Sequence, residues 1–188
     1  MLNEEKKGND TSEDKILFQT KIFDVVERYQ IGQSGQKHPR YVVRNKGAVA
    51  ILPILPDGRI ILIKQFRSPA QRYIYEIPAG TREIGEEPLK TAYRELIEET
   101  GYHAGKMDLL CSFYSSPGIF QEELFLFRAT DLVPGESALE DGEDITLVIV
   151  DRDQVRSMIR KGEIHDAKTL LALLTIFFPE FPENLGDC

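Results

Sequence analysis

The sequence predicts an α+β fold, a mostly β body with one interior helix and two late helices layered against it. Three observations carry this. Short apolar runs alternate with turn signals through the first eighty residues. A single stretch of helical periodicity sits in the middle of the chain, and two more close it. The 188 residues suffice for one domain with a real core.

The N-terminus, "MLNEEKKGNDTSEDK", is polar and mixed in charge without an apolar segment, so residues 1–14 are expected to form a disordered tail and no signal peptide. Residues 15–45 hold the strand-like pieces "ILFQTKIFDVVERYQI" and "RYVV", with "GQSGQKHP" as a turn, and are expected to form a small N-terminal β subdomain. Residues 46–188 hold the main domain. "GAVAILPIL" (Gly47–Leu55) reads as a buried strand, "PDG" as a turn, and "RIILIKQF" (Arg59–Phe66) as the hairpin partner. "RYIYEIPAG" (Arg72–Gly80) reads as one further strand. Pro88 suits a first helical turn, Leu89, Ala92, Tyr93, Leu96 and Ile97 form an apolar stripe, and Gly101 is placed to end that helix. Strands are expected over Met107–Ser116, Glu122–Thr130 and Ile145–Val150, with Asp131–Asp144 as a long acidic loop before the last. "RDQVRSMIRKG" and "DAKTLLALLTIFF" read as helices, the second capped by Asp166.

Composition narrows the function. The net charge of −8 and the lack of a Lys/Arg cluster argue against nucleic acid as a partner. No apolar run approaches the roughly 20 residues of a membrane span. The cysteines, Cys111 and Cys188, have no metal-type spacing, and a cytoplasmic setting fits them. An acidic chain that handles an anionic substrate needs cations or local arginines.

The interior helix is costly by itself. Glu95, Glu98 and Glu99 fall together on a helical wheel, away from the apolar stripe, and like charges three and four residues apart repel. One reading is a solvated charged face. The other is a cradle for a hard divalent cation such as Mg²⁺, or Mn²⁺, which takes one or two carboxylates and keeps water and substrate phosphates as its other ligands.

The bracketing residues favour the second reading. Gly80, Glu86, Arg94, Glu95, Glu98, Glu99 and Gly101 stand in the spacing Gly-x5-Glu-x7-Arg-Glu-U-x-Glu-Glu-x-Gly. This resembles the Nudix box at all seven fixed positions, a coincidence on the order of 10⁻⁸ per starting point at average residue usage. Leu96 fits the first bulky aliphatic position, whereas Tyr102 is aromatic at the second. The resemblance implies an α/β/α sandwich with Glu95, Glu98 and Glu99 as metal ligands, joined by the carbonyl of Ala79. It implies Glu86 and Arg94 as an ion pair tying loop to helix, and Gly80 as a glycine that gives the loop its backbone freedom. Glu83 and Glu87 are read as exposed acids outside this machinery.

Beyond the box, "EIPAG", "IKQFR", "RYVVRNKGAVAILPI" and Pro117, sixteen residues past Gly101, resemble the ADP-ribose pyrophosphatase branch. That resemblance implies Mg²⁺-dependent hydrolysis of ADP-ribose to AMP and ribose 5-phosphate. The alternatives are a broader nucleoside diphosphate sugar hydrolase acting on GDP-mannose or ADP-glucose, and a non-catalytic sensor. It implies substrate contacts from Arg40, Arg67, Glu76, Pro117 and Gly118; for Arg67 a surface ion pair is the competing reading. It implies a loop carboxylate as base, with Glu143 preferred over Glu140 and Asp141 and Glu98 as a helper, and a homodimer to which residues 15–45 contribute strands. Phe18, Phe23 and Tyr29 are read as core packing, with adenine stacking as the alternative.

Overall fold

The computed structural model describes residues 14–136 and 144–178. They fall into two units, residues 14–46 with 116–122, and the described parts of residues 47–115 and 123–178.

The smaller unit is an antiparallel meander of β1 (Lys15–Gln19), β2 (Asp24–Ile31) and β3 (Lys37–Arg44), in that order. The turn between β1 and β2 is closed by Thr20, whose hydroxyl donates to Phe23 O at 2.7 Å and accepts from Phe23 N–H at 2.9 Å. Gly35, at φ +81°, makes the next turn. The segment 116–122 lies along β3, where Val43 N–H donates to Ile119 O at 2.8 Å and Gln121 N–H donates to Val43 O at 2.9 Å. Asp14, assigned above to the tail, instead takes the Arg28 fork at 2.8 and 2.7 Å; residues 1–13 lie outside the described residues. Phe18 and Tyr29 are exposed rather than packed in a core. Phe18 meets a tilted Phe23 ring at 6.4 Å. The described residues of this unit include no helix to cover a face of the sheet.

The larger unit contains β4 (Ala48–Pro53), β5 (Ile60–Arg67), β6 (Arg72–Glu76), β7 (Ala79–Thr81), α1 (Pro88–Thr100), β8 (Tyr102–Tyr114), β9 (Glu123–Pro134), β10 (Ile145–Val150), α2 (Arg152–Arg160) and α3 (Ala167–Phe177). Its strands make two sheets, ordered β7-β4-β9-β8 and β10-β5-β6, with β4 parallel to β9. Strand β4 is buried on both faces: Val49, Ala50, Ile51 and Leu52 are all 0% exposed. Val49 and Ile51 pack with Ala92 and Leu96 of α1. Ala50 and Leu52, pointing the other way because side chains alternate along a strand, pack with Val155 of α2 and Ala172 and Leu173 of α3. Helices on both sides of the strands make the expected α/β/α sandwich.

Three expectations need correction. Arg72–Gly80 is two strands, because Pro78 cannot donate to a ladder: β6 pairs with β5, and β7 pairs with β4. At the crossing, Ile77 N–H donates to Thr169 Oγ1 at 2.9 Å and Pro78 O accepts from Ile51 N–H at 2.8 Å. Second, Asp131–Pro134 belongs to β9 rather than to the acidic loop, with Leu132, Val133 and Pro134 opposite Ala104, His103 and Tyr102. Asp131 hides this in the sequence, since it adopts a left-handed φ of +55° that interrupts the alternation. Third, Leu89 is 45% exposed, and the buried face of α1 is Thr91, Ala92, Glu95, Leu96, Glu99 and Thr100. The helix turns two glutamates inward where a purely structural helix would turn leucines.

Candidate active site

Helix α1 begins at Pro88 after an extended Glu87 and ends at Gly101, whose left-handed φ of +72° aims its N–H at Ile97 O. Between these limits Glu95 and Glu99 lie one turn apart on the inward face, only 9% and 4% exposed. Strand β7 receives them. Ala79 N–H donates to Glu99 Oε2 at 2.9 Å, and a methyl built on Gly80 would fall 2.0 Å from Glu95 Cδ. Gly80 is therefore a glycine for room. It lies in a strand and is not among the positive-φ glycines, so the expected backbone freedom is not its reason.

Arg94 gathers the acids. Its Nη1 donates to Glu95 Oε1 at 2.7 Å and to Glu98 Oε2 at 2.8 Å. Its Nε and Nη2 reach the Glu86 carboxylate at 3.3 and 3.2 Å, tying the loop after β7 to the helix. The bond from Arg94, helped by the Glu83 N–H, pulls the Glu86 carboxyl down to about 2. Arg94 is held above its ordinary value, first by Glu86.

A second buried charge group lies beside the first. The Arg67 fork donates to both Glu76 oxygens at 2.8 Å, and Lys168 Nζ reaches Glu76 Oε2 at 2.5 Å and Asp166 Oδ2 at 3.0 Å. Burial pushes the Glu76 carboxyl up, but Arg67 and Lys168 outweigh it and leave the group below its ordinary value. The competing ion-pair reading of Arg67 thus describes a real contact, though with a 2% exposed partner rather than at the surface. Lys168 was not anticipated. Its signal was a lysine in the first turn of a helix, where the dipole disfavours a cation unless a specific anion holds it.

A cavity of 340 Å³ opens over these groups, lined by Arg67, Ala79, Gly80, Arg94 and the three helix glutamates, and also by Gln65, Thr81 and Glu83. Glu83, read as outside the machinery, is on its wall. Arg40, Pro117 and Gly118 belong to the smaller unit. Arg40 is exposed on β3 and donates to Gln30 Oε1 at 3.0 Å. Pro117 and Gly118 sit in an exposed turn where Phe120 N–H donates to Ser116 O at 2.8 Å. Glu140, Asp141 and Glu143 lie outside the described residues. The end of that loop is described: the Tyr73 hydroxyl donates to the Asp144 carboxylate, which raises the Tyr73 pKa.

Among the described residues, no three carboxylate, imidazole or thiol side chains converge as a closed metal cage, and the Arg94 guanidinium bridges Glu95 and Glu98. The donor set nevertheless fits a hydrated hard cation. It is all oxygen, two of its carboxylates are buried, and Gly80 is kept bare to seat one of them. A cation that retains its own water needs one or two such carboxylates rather than a cage.

The NUDIX domain model matches residues 44–173. The ADP-ribose pyrophosphatase of Bacillus subtilis (strain 168) is 39% identical over 160 residues, 84% of this chain and 86% of that protein. The methanol dehydrogenase activator of Bacillus methanolicus is 40% identical over 142 residues, 74% of this chain and 77% of that protein. A solved structure described as an ADP compounds hydrolase superposes with a TM-score of 0.75 at 22% identity, covering 93% of this chain and 98% of that one, a likeness of fold.

Proposed function

Because this chain belongs to the NUDIX domain family, we propose that it hydrolyses the diphosphate linkage of ADP-ribose, giving AMP and ribose 5-phosphate. The observation that carries this reading is the pair of buried carboxylates, Glu95 and Glu99, seated against the bare Gly80 at the floor of an open cavity. The relative named for ADP-ribose hydrolysis, 39% identical over most of both chains, supports it.

Glu95, Glu98 and Glu99, with the Ala79 carbonyl, would hold Mg²⁺ (or Mn²⁺), which when bound screens the diphosphate and makes a water more acidic. Arg67 uses Nε and Nη2 on Glu76 and leaves Nη1 for a phosphate oxygen. Glu76 fixes the direction of that guanidinium. A carboxylate of the loop before β10, Glu143 by preference and Glu140 and Asp141 as rivals, takes the proton of the attacking water. The water oxygen bonds to the adenosyl-side phosphorus, and the bridging oxygen leaves with ribose 5-phosphate. Arg40, Pro117 and Gly118 are assigned to the rest of the substrate.

A broader hydrolase of nucleoside diphosphate sugars is the second reading. It is favoured by the cavity wall, which among the described residues includes no aromatic side chain to select a base. We also assign a homodimer, since the smaller unit exposes Ile22 at 67%, Ile31 at 61% and Tyr41 at 57%. A monomer in light scattering overturns that assignment. Cytoplasmic residence suits the buried thiol of Cys111, and among the described residues no helix is long and apolar enough to cross a membrane.

The test is a substrate panel of ADP-ribose, ADP-glucose and GDP-mannose with Mg²⁺, products separated by chromatography. AMP and ribose 5-phosphate from ADP-ribose at the highest kcat/KM is the expected result. Equal or faster turnover of GDP-mannose selects the second reading.

A further inference from the structure

Lys168 is the charged side chain whose place the box does not explain. It stands in the first turn of α3, where the helix dipole disfavours a cation, and its side chain is only 13% exposed. Anchoring the helix does not require it. Thr169, 0% exposed, accepts from Ile77 N–H at 2.9 Å and donates to Asp166 Oδ2 at 2.6 Å, and Asp166 Oδ2 takes the Thr169 N–H at 2.9 Å. Ala172 and Leu173 then bury the next turn in the core. Nor does Glu76 require a second cation, since the Arg67 fork already serves both of its oxygens.

What Lys168 changes is the state of Arg67. Its Nζ meets Glu76 Oε2 at 2.5 Å, the same oxygen that takes Arg67 Nη2 at 2.8 Å. Asp166 Oδ2 also holds the ammonium, at 3.0 Å. One carboxylate charge is thereby divided between two cations, and the guanidinium keeps more of its own for an anion. A contact from α3 also fixes the carboxylate, and with it the plane of the fork. Arg67 lines the cavity over the helix glutamates, and among the described residues its Nη1 carries no hydrogen bond. Lys168 is not among the residues lining that cavity, and Glu76 is the link between the two.

Resting on the function proposed above, we infer that Lys168 is a positioning residue, which holds Glu76 so that Arg67 presents Nη1 to the diphosphate of the substrate. The test is a double-mutant cycle of Lys168→Met and Arg67→Gln in the full-length protein. It is read by calorimetry as affinity for the non-hydrolysable α,β-methylene analogue of ADP-ribose with Mg²⁺, beside the kinetics of ADP-ribose itself. Lys168→Met alone should weaken the analogue about tenfold and raise KM more than it lowers kcat. In the Arg67→Gln background the same substitution should change affinity by less than about twofold, because the group it acts through is gone. Lys168→Gln, which still offers Glu76 a neutral donor, goes through the same cycle, so that the result does not depend on Lys168→Met folding. An equal loss of affinity in both backgrounds would show a long-range charge effect on the substrate and overturns the inference. A lowered melting temperature with wild-type affinity, the mark of a purely structural ion pair, overturns it too. Either result leaves ADP-ribose hydrolysis standing. A wild type that hydrolyses none of ADP-ribose, ADP-glucose or GDP-mannose overturns the proposed function and this inference with it.

Discussion

Lys168 Nζ meets Glu76 Oε2 at 2.5 Å, joining the first turn of α3 to the last residue of β6 across 92 positions of sequence. The carboxylate it meets is 2% exposed and also holds the Arg67 fork. Lys168→Met keeps most of the stem and removes the charge. Because Arg67 stays on Glu76, the loss should fall below the full cost of a broken buried pair, at about 1–3 kcal/mol in urea unfolding. KM should rise as well, since Arg67 would no longer share Glu76 with a second cation.

Gly80→Ala should be severe for a substitution of one methyl. The added carbon would lie 2.1 and 2.2 Å from the Glu95 oxygens, so the carboxylate must leave its seat or β7 must shift. Overpacking of this kind costs about 1–3 kcal/mol. A lowered melting temperature together with loss of most activity is the expected pair of results. Wild-type turnover would mean that Glu95 works from another position.

Glu99→Gln separates chemistry from folding. The amide keeps the shape and can still accept from Ala79 N–H, which now bonds Glu99 Oε2 at 2.9 Å. Folding by circular dichroism should be unchanged, while kcat/KM falls by more than about 100-fold, the upper range for groups that merely support a metal ligand. Wild-type turnover by this variant would remove Glu99 from the metal set.

The Glu86–Arg94 contact predicts an acid limb. The Arg94 guanidinium holds the Glu86 carboxyl at about 2 in the folded chain, down from an ordinary value of 4.5. A depressed folded value means that the stabilisation is fully present above about pH 4.5 and is lost as pH falls toward 2. Glu86→Gln should therefore be less stable than wild type at pH 6, with the gap closing toward pH 2, in urea unfolding at a series of pH values. A gap that stays constant with pH would show that the contact is not an ion pair.

Much of this was legible without coordinates. The turn at Gly58, the helix stop at Gly101 and the Asp166 cap are local events, and each was read from one residue and its neighbours. The spacing of Glu95 and Glu99 fixed their shared helix face for the same reason: a turn of helix is a property of four consecutive residues. What the helix face would touch was not local. The sequence left Leu89 in the apolar stripe and gave Gly80 a reason of backbone freedom; β7 packed on α1 makes Leu89 an exposed residue and Gly80 a void shaped to a carboxylate.

The sequence by itself determined the order of the helices, most of the strands, and the residue types able to hold a cation and a diphosphate. Only the tertiary structure decided that Pro78 carries the chain from one sheet to the other, that Glu76 is shared by Arg67 and Lys168, and that Gln65 is buried between Ile74 and Ile145. The reason is range. Periodicity and turn chemistry act within a few residues, whereas burial and ion pairing depend on which distant segments the sheets bring together.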